Sequence, residues 1–497
     1  MTTRNGLSRT HRIHFVLFLC ALSPVMAGCL APDAVPGDSG AAGGPGGPDG
    51  SLPGYAPVWA RSYGNDEDAD KRIFAVAAAA DGGAVIGGDF ESNLQMGSLS
   101  ELPWADSRDA FVAVLDKDGA PKRAFALGGW ESQRIWSVQS TAAGMLVAGS
   151  HSGQLLINGN DENPAPDGRG GFVALINDDG SLAWIVRVDG QGDQSVYSIA
   201  LAPTGDIFIG GTFQNGLTVG DLDTSEQADG WQDFVVAKLV SAGKPLWAKS
   251  LGGDPADVDW WIQPCFVAAA PDGGVHVAGS FNGTMRFQQD VGAAGDRDAF
   301  LGKLDASGAP VSGLSVGTAG STVTATGLAA HSTGLVAFSG DLQGKAQYGG
   351  TVLQSDGEEA DAMVALFSSL GKAVWARRVG SSAGDHGGPV TFDSEGNVLF
   401  SGRFRGSFTF GNQAVIQNSE AEGADDIFLA TLSAGGEPLH NAAYGEWDYQ
   451  YPAGMAATAD GQILLGGWFG GGLDFGAGTM EANGGADMFI AKLKNAE

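Results

Sequence analysis

The sequence predicts an all-β protein, a seven-bladed β-propeller with four strands in each blade. Three observations predict it. Glycine is unusually common, at 80 of 497 residues, and only 17% of residues are charged, a composition typical of short strands joined by tight turns. One motif recurs seven times at nearly constant spacing. Each repeat contains four short apolar runs bounded by Gly, Asp or Pro, without the 3.6-residue periodicity of a helix.

The recurring motif is a seven-residue run that reads Asp-x-Phe-Val-Ala-Lys-Leu or a variant of it. Its central aromatic residue or methionine falls at Phe111, Phe172, Phe234, Phe300, Met363, Phe428 and Phe489. Successive copies are therefore 61 to 66 residues apart. Such regular spacing is the signature of tandem structural units, and the four apolar runs of each unit predict one four-stranded blade.

The phase of the repeats predicts how the ring closes. The body begins with one strand, 58–63, and ends with another, 487–493. Elsewhere a tight turn joins these two strand types, as in 239–247, so they should pair as a hairpin. We therefore expect the N-terminal strand to complete the C-terminal blade, which would leave no open sheet edge at the junction.

The repeats resemble the SBBP-type β-propeller repeat of bacterial envelope proteins. The shared features are the Asp-x-Phe-Val-Ala-Lys-Leu run, a Gly-Gly pair after the next strand, and an Asp-x-x-Gly-Asn hairpin that is clearest at 393–402. The resemblance covers residues 57–493. It implies the propeller fold and implies little about activity, because one fold hosts many functions.

The N-terminal segment is typical of an export signal. Residues 1–12 are polar and contain three arginines, and residues 13–22 form an apolar run too short to cross a bilayer. Small residues follow and end at Cys29, in a pattern similar to a bacterial lipobox. The resemblance implies a signal peptide over 1–28 and a lipid on Cys29 that binds the chain to a membrane. The alternative is an ordinary cleavage site beside a chance cysteine.

Residues 29–56 predict a flexible tether between that lipid and a propeller at 57–494. The segment consists largely of Gly, Pro, Ala and Asp and cannot form a core. Leu30 rather than Asp follows the cysteine, which by the sorting rule of diderm bacteria favours the outer membrane. We therefore expect an exported lipoprotein of the cell envelope that is anchored in the outer membrane. The sequence does not distinguish the periplasmic side of that membrane from the cell surface.

The charge and the cysteines restrict the partners. A net charge of −30 excludes nucleic acid and repels anionic headgroups, while it suits cationic partners, Ca²⁺ or solubility alone. The cysteines, Cys20, Cys29 and Cys265, do not form a disulfide framework, and Cys265 lies in an apolar run typical of a core. We expect a monomer.

Two kinds of connection are expected to share one face of the propeller: the loops between the second and third strands, counted outward from the axis, and the crossovers between blades. Long loops on a rigid scaffold are where binding sites concentrate. Six tryptophans fall in these segments: Trp104, Trp130, Trp231, Trp260, Trp261 and Trp447. With the many carboxylates there, they predict a surface for carbohydrate or quaternary ammonium ligands. The alternative is that the loops fold onto themselves with the indole rings as small cores.

Two acidic runs in the crossovers could ligate Ca²⁺, which needs six to eight oxygen ligands. The candidate ligands are Asp66, Asp68 and Asp70 in one run and Asp254, Asp257 and Asp259 in the other. Neither run is a complete EF-hand loop. No other cofactor is predicted.

Two further residue types recur at fixed positions and predict structural roles. In most copies an Asp stands two residues before the central aromatic residue, where it is expected to cap a turn. Four tryptophans share one repeat position and are expected to pack within the blades: Trp59, Trp184, Trp247 and Trp375.

The sequence offers little support for catalysis. Its two G-x-S-x-G strings, at 313–317 and 380–384, are not followed by a helical pattern and so do not predict a nucleophile elbow, and it contains no H-E-x-x-H motif or Cys–His pair. The leading interpretation is a non-enzymatic envelope lipoprotein that presents one propeller face to a glycan or a protein. Two alternatives stay open. One is an enzyme that acts on glycans through carboxylates on that face, at a separation that sequence does not show. The other is a scaffold for envelope assembly.

Overall fold

The computed structural model describes residues 54–64, 69–105, 107–163, 168–228, 232–253, 263–410, 415–417 and 424–496. Throughout these ranges the regular structure is β-strand, and no helix occurs in them. This part of the chain accordingly offers no helix that could span a membrane.

Seven antiparallel blades of four strands each form a propeller, as the sequence predicts. In the first two blades along the chain, a hairpin from the next blade extends the sheet to six strands. We name the strands of each blade inner, second, third and outer, from the axis outward. In that order the strands are Lys71–Ala78, Ala84–Phe90, Asp109–Leu115 and Pro121–Gly128 in blade 1; Gln133–Thr141, Gly144–His151, Gly170–Ile176 and Leu182–Asp189 in blade 2; Gln194–Leu201, Ile207–Phe213, Asp233–Leu239 and Pro245–Leu251 in blade 3; Gln263–Ala269, Val275–Phe281, Asp298–Leu304 and Pro310–Val316 in blade 4; Thr322–Ala330, Val336–Gln343, Asp361–Phe367 and Ala373–Val379 in blade 5; His386–Phe392, Val398–Phe404, Asp426–Leu432 and Pro438–Tyr444 in blade 6; and Gln450–Ala457, Ile463–Phe469, Asp487–Asn495 and Tyr55–Tyr63 in blade 7. The inner strand of each blade contacts the next, and that of blade 7 contacts that of blade 1, so the ring is closed.

Blade 7 combines the first and last described strands, which confirms the predicted closure. Its outer strand, Tyr55–Tyr63, pairs antiparallel with its third strand, Asp487–Asn495. The register places Tyr63 opposite Met488. Ladder hydrogen bonds therefore close the ring and leave no unpaired edge between these two strands.

The second and third strands are buried along almost their whole length. In blade 1, every residue of Ala84–Phe90 and of Asp109–Leu115 is buried. Neighbouring blades cover both faces of these strands, which explains why they are continuous apolar runs instead of alternating ones. Cys265, on the inner strand of blade 4, is also fully buried, as predicted.

The recurrent Asp at the start of the third strand caps the preceding loop, as expected. In blade 4, Asp298 is fully buried, and its carboxylate accepts hydrogen bonds from Ala294 N at 2.7 Å and Gly295 N at 3.3 Å. The glycine that follows the outer strand leaves room for this carboxylate. The contact recurs in the pairs Asp109–Gly128, Asp233–Gly252, Asp298–Gly317, Asp361–Gly380, Asp426–Gly445 and Asp487–Gly64.

The four tryptophans at one repeat position join adjacent blades, which confirms their structural role. Trp59 in blade 7 donates its Nε1–H to the carbonyl of Lys117 in blade 1 at 2.9 Å. Its ring covers Gly119, which adopts a φ of +78° and where a Cβ would lie 2.7 Å from the indole. Glycine is therefore required in this turn both for its conformation and for its size. The same contact occurs in the pairs Trp184–Gly243, Trp247–Gly308 and Trp375–Gly436.

The long loops between the second and third strands fold as short hairpins in blades 2 to 7. The hairpin strands are Leu155–Ile157 with Asn160–Asn163, Gly216–Val219 with Leu222–Gln227, Thr284–Met285 with Val291–Gly292, Lys345–Tyr348 with Thr351–Gln354, Ser407–Thr409 with Val415–Gln417, and Gly472–Leu473 with Met480–Glu481. In blade 1 an isolated bridge between Leu94 and Leu102 occupies this place. Two of the hairpins pair with the outer strand of the preceding blade and so cover its edge.

The two ends of the propeller therefore differ. Tight turns occupy one end, which we call the turn face, and hairpins and crossovers share the other, which we call the loop face. Every inner strand begins at the loop face and every second strand ends there. The first residues of the inner strands and the last residues of the second strands consequently surround one end of the axis, which we call the axial mouth.

Candidate functional site

β-Bulges near the start of the inner strands decide which side chains surround the axial mouth. In blades 1 to 3 the inner strand carries one extra residue relative to its second strand, and that residue is aromatic: Phe74, Trp136 and Tyr197. A bulge re-aims the side chain that it carries. In blades 5 to 7 the corresponding residues are small or lack a long side chain: Thr326, Gly388 with Pro389, and Ala453. The mouth is therefore aromatic on one side and open on the other.

Five aromatic side chains contact one another in sequence around the mouth and form an aromatic arc: Tyr197, Trp136, Phe74, Trp468 and Tyr451. In that order the ring centroids are 5.4, 5.0, 5.1 and 5.1 Å apart. The last two rings are stacked, with planes 6° apart, and the other pairs are tilted. All five residues are half-buried. Rings held in place on one side and open on the other form a surface for the flat apolar face of a ligand.

Three arginines surround one buried carboxylate beside the arc. Asp89 is fully buried, and its oxygens lie 3.1 Å from Nε of Arg72, 2.6 Å from Nε of Arg134 and 3.5 Å from Nε of Arg108. Cζ of Arg134 also lies 4.8 and 4.6 Å from the centroids of two arc rings, which is cation–π geometry. Burial lowers the pKa of Arg134, yet a guanidinium stays charged at physiological pH. Asp89 thus fixes positive charge against the arc.

A second ion-pair cluster lies at the Tyr451 end of the arc. Asp425, with a side chain 4% exposed, pairs with Arg403 and Arg405. Cζ of Arg403 lies 4.2 Å from the ring centroid of Tyr451. The carbonyl of Asp425 accepts a hydrogen bond from Gln450 N at 2.9 Å, which ties this cluster to the inner strand of blade 7. Arginine therefore borders the arc at its middle, beside Phe74 and Trp136, and at its Tyr451 end.

Asp385 lies beside this cluster and is fully buried. One of its oxygens accepts a hydrogen bond from Arg405 N at 2.9 Å, and the other accepts one from Ser381 N. Burial raises the pKa of Asp385 to about 6, a rise that these hydrogen bonds only partly offset. The protonation of this carboxyl therefore changes near pH 6, not in the usual acidic range.

A cavity of about 190 Å³ adjoins the arc between blades 5, 6 and 7. Its polar lining consists of Asp341, His386, Arg403 and Tyr451, and its wall is completed by Gly387, Gly402 and Pro452. Asp341 is engaged within the wall, since Oδ1 accepts a hydrogen bond from Gly387 N at 2.8 Å and Oδ2 lies 3.2 Å from Nδ1 of His386. Burial raises the pKa of Tyr451, so its hydroxyl is protonated at neutral pH.

A larger cavity, of about 480 Å³, lies on the loop face between blades 4 and 5. Its lining consists of Asp296, Gly320, Ser321, Thr322, Gln343, Gly344, Gly357 and Glu358. This lining contains no aromatic ring and no basic side chain. Ligand sites usually combine apolar walls with a few fixed polar groups, and the cavity beside the arc has this combination. We therefore regard the axial mouth as the candidate site.

The tryptophans predicted from the loops do not belong to the arc. Trp104, Trp130 and Trp447 are 40%, 75% and 48% exposed and lie in three different loop segments. The loops pack onto the blades through buried residues such as Leu94 and Phe475, which belong to the cores of the blades, and these three indoles are not part of those cores. The other candidates lie outside the described residues: Trp231, Trp260 and Trp261.

Of the six predicted Ca²⁺ ligands, Asp70 lies within the described residues. Its Oδ1 accepts a hydrogen bond from Ala486 N at 3.1 Å, and its Oδ2 lies 3.6 Å from Nη1 of Arg72. In the ranges that the structure describes, no group of three or more His, Cys, Asp or Glu side chains is placed to hold a metal ion. The remaining predicted ligands and the predicted lipidation site lie outside those ranges: Asp66, Asp68, Asp254, Asp257, Asp259 and Cys29.

The arc and its arginines were not predicted from the sequence, because the predicted binding surface consisted of residues in the loops and crossovers. A signal was present in the inner strands, which begin with KRIF at 71–74, QRIW at 133–136 and QSVY at 194–197. These segments carry an aromatic residue at a position that is small in blades 5 to 7. Equivalent positions in all blades have the same packing requirements. A residue type that occurs at such a position in only some blades therefore indicates a role beyond folding.

Comparison with known proteins leaves the function open. No family model and no curated protein matches the chain. The chain is similar to the WD40 β-propeller domain of Doa1, at 8% identity with 90% of this chain and 98% of that chain covered and a TM-score of 0.45. A protein of unknown function from Dyadobacter fermentans matches at 11% identity, with 90% and 100% covered and a TM-score of 0.42. A PL25 ulvan lyase matches at 11% identity, with 82% and 93% covered and a TM-score of 0.41. These similarities do not distinguish binding from catalysis.

Proposed function

We propose that this chain is a non-enzymatic, exported binding protein that holds a glycan at the axial mouth. The observation that carries the proposal is the aromatic arc, five half-buried rings in continuous contact around the axis. A sugar ring has a flat face of C–H groups that packs on aromatic rings, and hydroxyls at its rim that hydrogen-bond to polar side chains. The arginines beside the arc supply such donors.

The fold itself does not account for the arc. Cohesion between blades comes from the buried second and third strands and from the tryptophans that cover turn glycines. At the bulge position, blades 5 to 7 form without an aromatic residue and have Thr326, Gly388 and Ala453 there. Large rings on only one side of the axis therefore serve something other than packing, and a ligand is the simplest role for a half-buried aromatic surface.

A glycan-degrading enzyme is the second candidate, favoured by the pairing of His386 with Asp341 in the cavity. General acid–base catalysis needs positioned groups that can exchange protons near the working pH. Asp89 and Asp425 are instead buried in ion pairs with arginine, and both oxygens of the buried Asp385 accept backbone hydrogen bonds. We favour binding for this reason. A scaffold role would rely on an exposed surface such as that around Trp130.

The test compares arc and loop tryptophans in the full chain carrying Cys29→Ser, which removes the proposed lipid site. A glycan array finds the ligand, and calorimetry measures its affinity. Trp468→Ala removes half of the stacked pair and should weaken binding about tenfold, or about 1.4 kcal/mol. Trp130→Ala, which removes an indole 75% exposed and outside the arc, is the matched control and should bind normally.

A loss of affinity confined to Trp130→Ala would contradict the arc and favour the loop surface. If the glycan becomes shorter after incubation with the full chain carrying Cys29→Ser, the result would favour the enzyme.

We also propose that a lipid on Cys29 anchors the chain in the outer membrane. This proposal is supported by the export signal, the resemblance of the residues before Cys29 to a lipobox, and the Gly- and Pro-rich segment that follows.

A further inference from the structure

The backbone of blade 6 creates the cavity beside Tyr451. At the bulge, where blades 1 to 3 have an aromatic residue, blade 6 has Gly388. A Cβ on Gly387 would lie 2.6 Å from the carbonyl oxygen of Gly340, and one on Gly388 would lie 2.8 Å from that of Ser401. Since neither position has room for a side chain, the opening is fixed by the backbone.

The size of the cavity limits what can enter. At about 190 Å³ it is smaller than the roughly 300 Å³ of the smallest pockets that hold a whole drug-sized ligand. It can therefore admit one substituent of a sugar ring while the ring lies on the arc. Tyr451 belongs to both the arc and the cavity lining, so one ligand can occupy the two together.

The hydrogen-bonding groups left in the cavity are mainly donors. Both oxygens of Asp341 are already engaged. Arg403 is 18% exposed and donates through Nη1 to Asp425, and within the described ranges its Nε and Nη2 donate to no acceptor. The hydroxyl of Tyr451 is a further donor. A substituent rich in acceptors, and above all an anion, matches this set.

The charge of the surroundings points the same way. The chain has 57 acidic and 27 basic residues, about twice as many acids as bases, so most of its surface repels an anion. At the mouth five arginines gather: Arg72, Arg108, Arg134, Arg403 and Arg405. Acids and bases are nearly equal in number here, whereas acids outnumber bases about two to one in the whole chain, so an acidic ligand can approach this part of the surface. The nearby carboxylates are those of Asp70, Asp89, Glu91, Asp341, Asp385 and Asp425.

We propose that the cavity is an anion subsite and that the glycan bound at the mouth is acidic. The inference rests on the proposed glycan binding and adds the ligand class. A carboxylate or sulfate group enters the cavity and receives hydrogen bonds from the guanidinium of Arg403, whose planar fork suits either anion. The arc supplies affinity that acidic and neutral sugars share, and Arg403 determines the preference between them.

The experiment uses calorimetry on the full chain with Cys29→Ser and three probes of equal length: an oligogalacturonate, its methyl ester and a sulfated galactan oligosaccharide. Arg403→Gln removes the charge, and Arg403→Lys keeps the charge but loses the fork. The matched control is Arg123→Gln, which removes an ion pair with Asp178 at the turn face. Asp425 keeps Arg405 in the Arg403 variants, so they should fold, and thermal melting checks this.

The parent should bind one of the two acidic probes at least tenfold more tightly than the neutral ester, and the preferred probe identifies the anion. Arg403→Gln should abolish this preference without changing the affinity for the ester, Arg403→Lys should keep part of it, and Arg123→Gln should keep all of it. Equal binding of acid and ester by the parent would overturn the anion subsite.

The anion subsite would also be overturned if Arg403→Gln lowered the affinity for the preferred acidic probe and for the neutral ester by the same factor. If the ester binds and Trp468→Ala removes that binding, the proposed glycan binding at the arc remains supported even though the anion subsite is not. If no glycan binds at all, the proposed function fails together with this inference.

Discussion

The indole of Trp375 in blade 5 lies over Gly436 in blade 6 and donates its Nε1–H to the carbonyl of Ala434 at 3.0 Å. Trp375 is only 5% exposed. Its contact crosses the boundary between blades 5 and 6, whose described strands form two separate sheets without a ladder between them. Cohesion between these blades therefore depends on side chains.

Substitutions of Trp375 should separate the hydrogen bond from the packing. We expect Trp375→Phe to lower the free energy of unfolding by about 1–2 kcal/mol, because it loses one hydrogen bond and some contact area. Trp375→Ala should lower it by about 3–5 kcal/mol. Urea unfolding measures both. Trp130→Ala, at an indole 75% exposed, should change it by less than about 0.5 kcal/mol. Equal effects of the three variants would contradict the inter-blade role.

The Asp–Gly contact of the repeats can be tested at Gly317. A Cβ there would lie 2.1 Å from Oδ1 of Asp298, a buried carboxylate that is held by backbone hydrogen bonds. Gly317→Ala should therefore destabilise the protein by about 1–3 kcal/mol, the usual range for overpacking. Gly292→Ala is the control, since nothing lies within 4 Å of a Cβ at that position. Similar urea midpoints for the two variants would count against the steric explanation.

Ring closure can be tested by two truncations. Removing 30–53 takes away only residues that the sequence predicts to be a tether, and it should leave the melting temperature nearly unchanged. Removing 30–64 also takes away the outer strand of blade 7 and exposes the edge of Asp487–Asn495. We expect this second truncation to unfold or to oligomerise through that edge. Calorimetric melting and light scattering distinguish the two, and matching behaviour would refute the closure.

The raised pKa of Asp385 predicts a pH dependence of stability. The folded value is about 6, whereas an unfolded Asp titrates at about 3.9. Between these values the folded protein binds more protons, so the stabilising contribution of Asp385 is complete below about pH 4 and lost as the pH rises through about 6. Relative to Asp385→Asn, the wild type should therefore lose about 2–3 kcal/mol between pH 4 and 7. Urea unfolding at both pH values measures this difference, and a constant difference would contradict the prediction.

Lipidation can be tested directly at Cys29. Cells expressing the full chain should incorporate labelled palmitate, and Cys29→Ser should abolish the label, because the thiol is the only acceptor that the lipobox resemblance implies. Cys265→Ser is the control and should keep the label, since Cys265 is buried in blade 4. Equal labelling of parent and Cys29→Ser would end the lipobox interpretation.

The fold could be predicted because similar residues make the same packing contacts in every blade, and they therefore repeat in the sequence. The Asp before Phe300 and the Gly after the outer strand are one structural unit, and such units recur at a fixed spacing. Even the closure follows from the phase of the repeats. The hairpins in the long loops were not predicted, because their sequences do not repeat from blade to blade, and two of them also pair with the outer strand of the preceding blade.

The candidate site could not be assembled in the same way. Arg134 lies 45 residues from its partner Asp89 and in a different blade, and sequence spacing does not indicate such a pair. Phe74 and Trp468 meet only because the ring closes between blades 7 and 1. A bulge also shifts which residue faces the axis by one position, so the periodicity of the strand alone does not identify it.

The direction of the first strand has a consequence for orientation. Outer strands run from the turn face to the loop face, so the chain enters the propeller at Tyr55 on the side opposite the axial mouth. A protein attached through its N-terminus would therefore hold the mouth away from the surface that carries it. Long polymers outside that surface could then reach the binding end from above without passing between the propeller and its support.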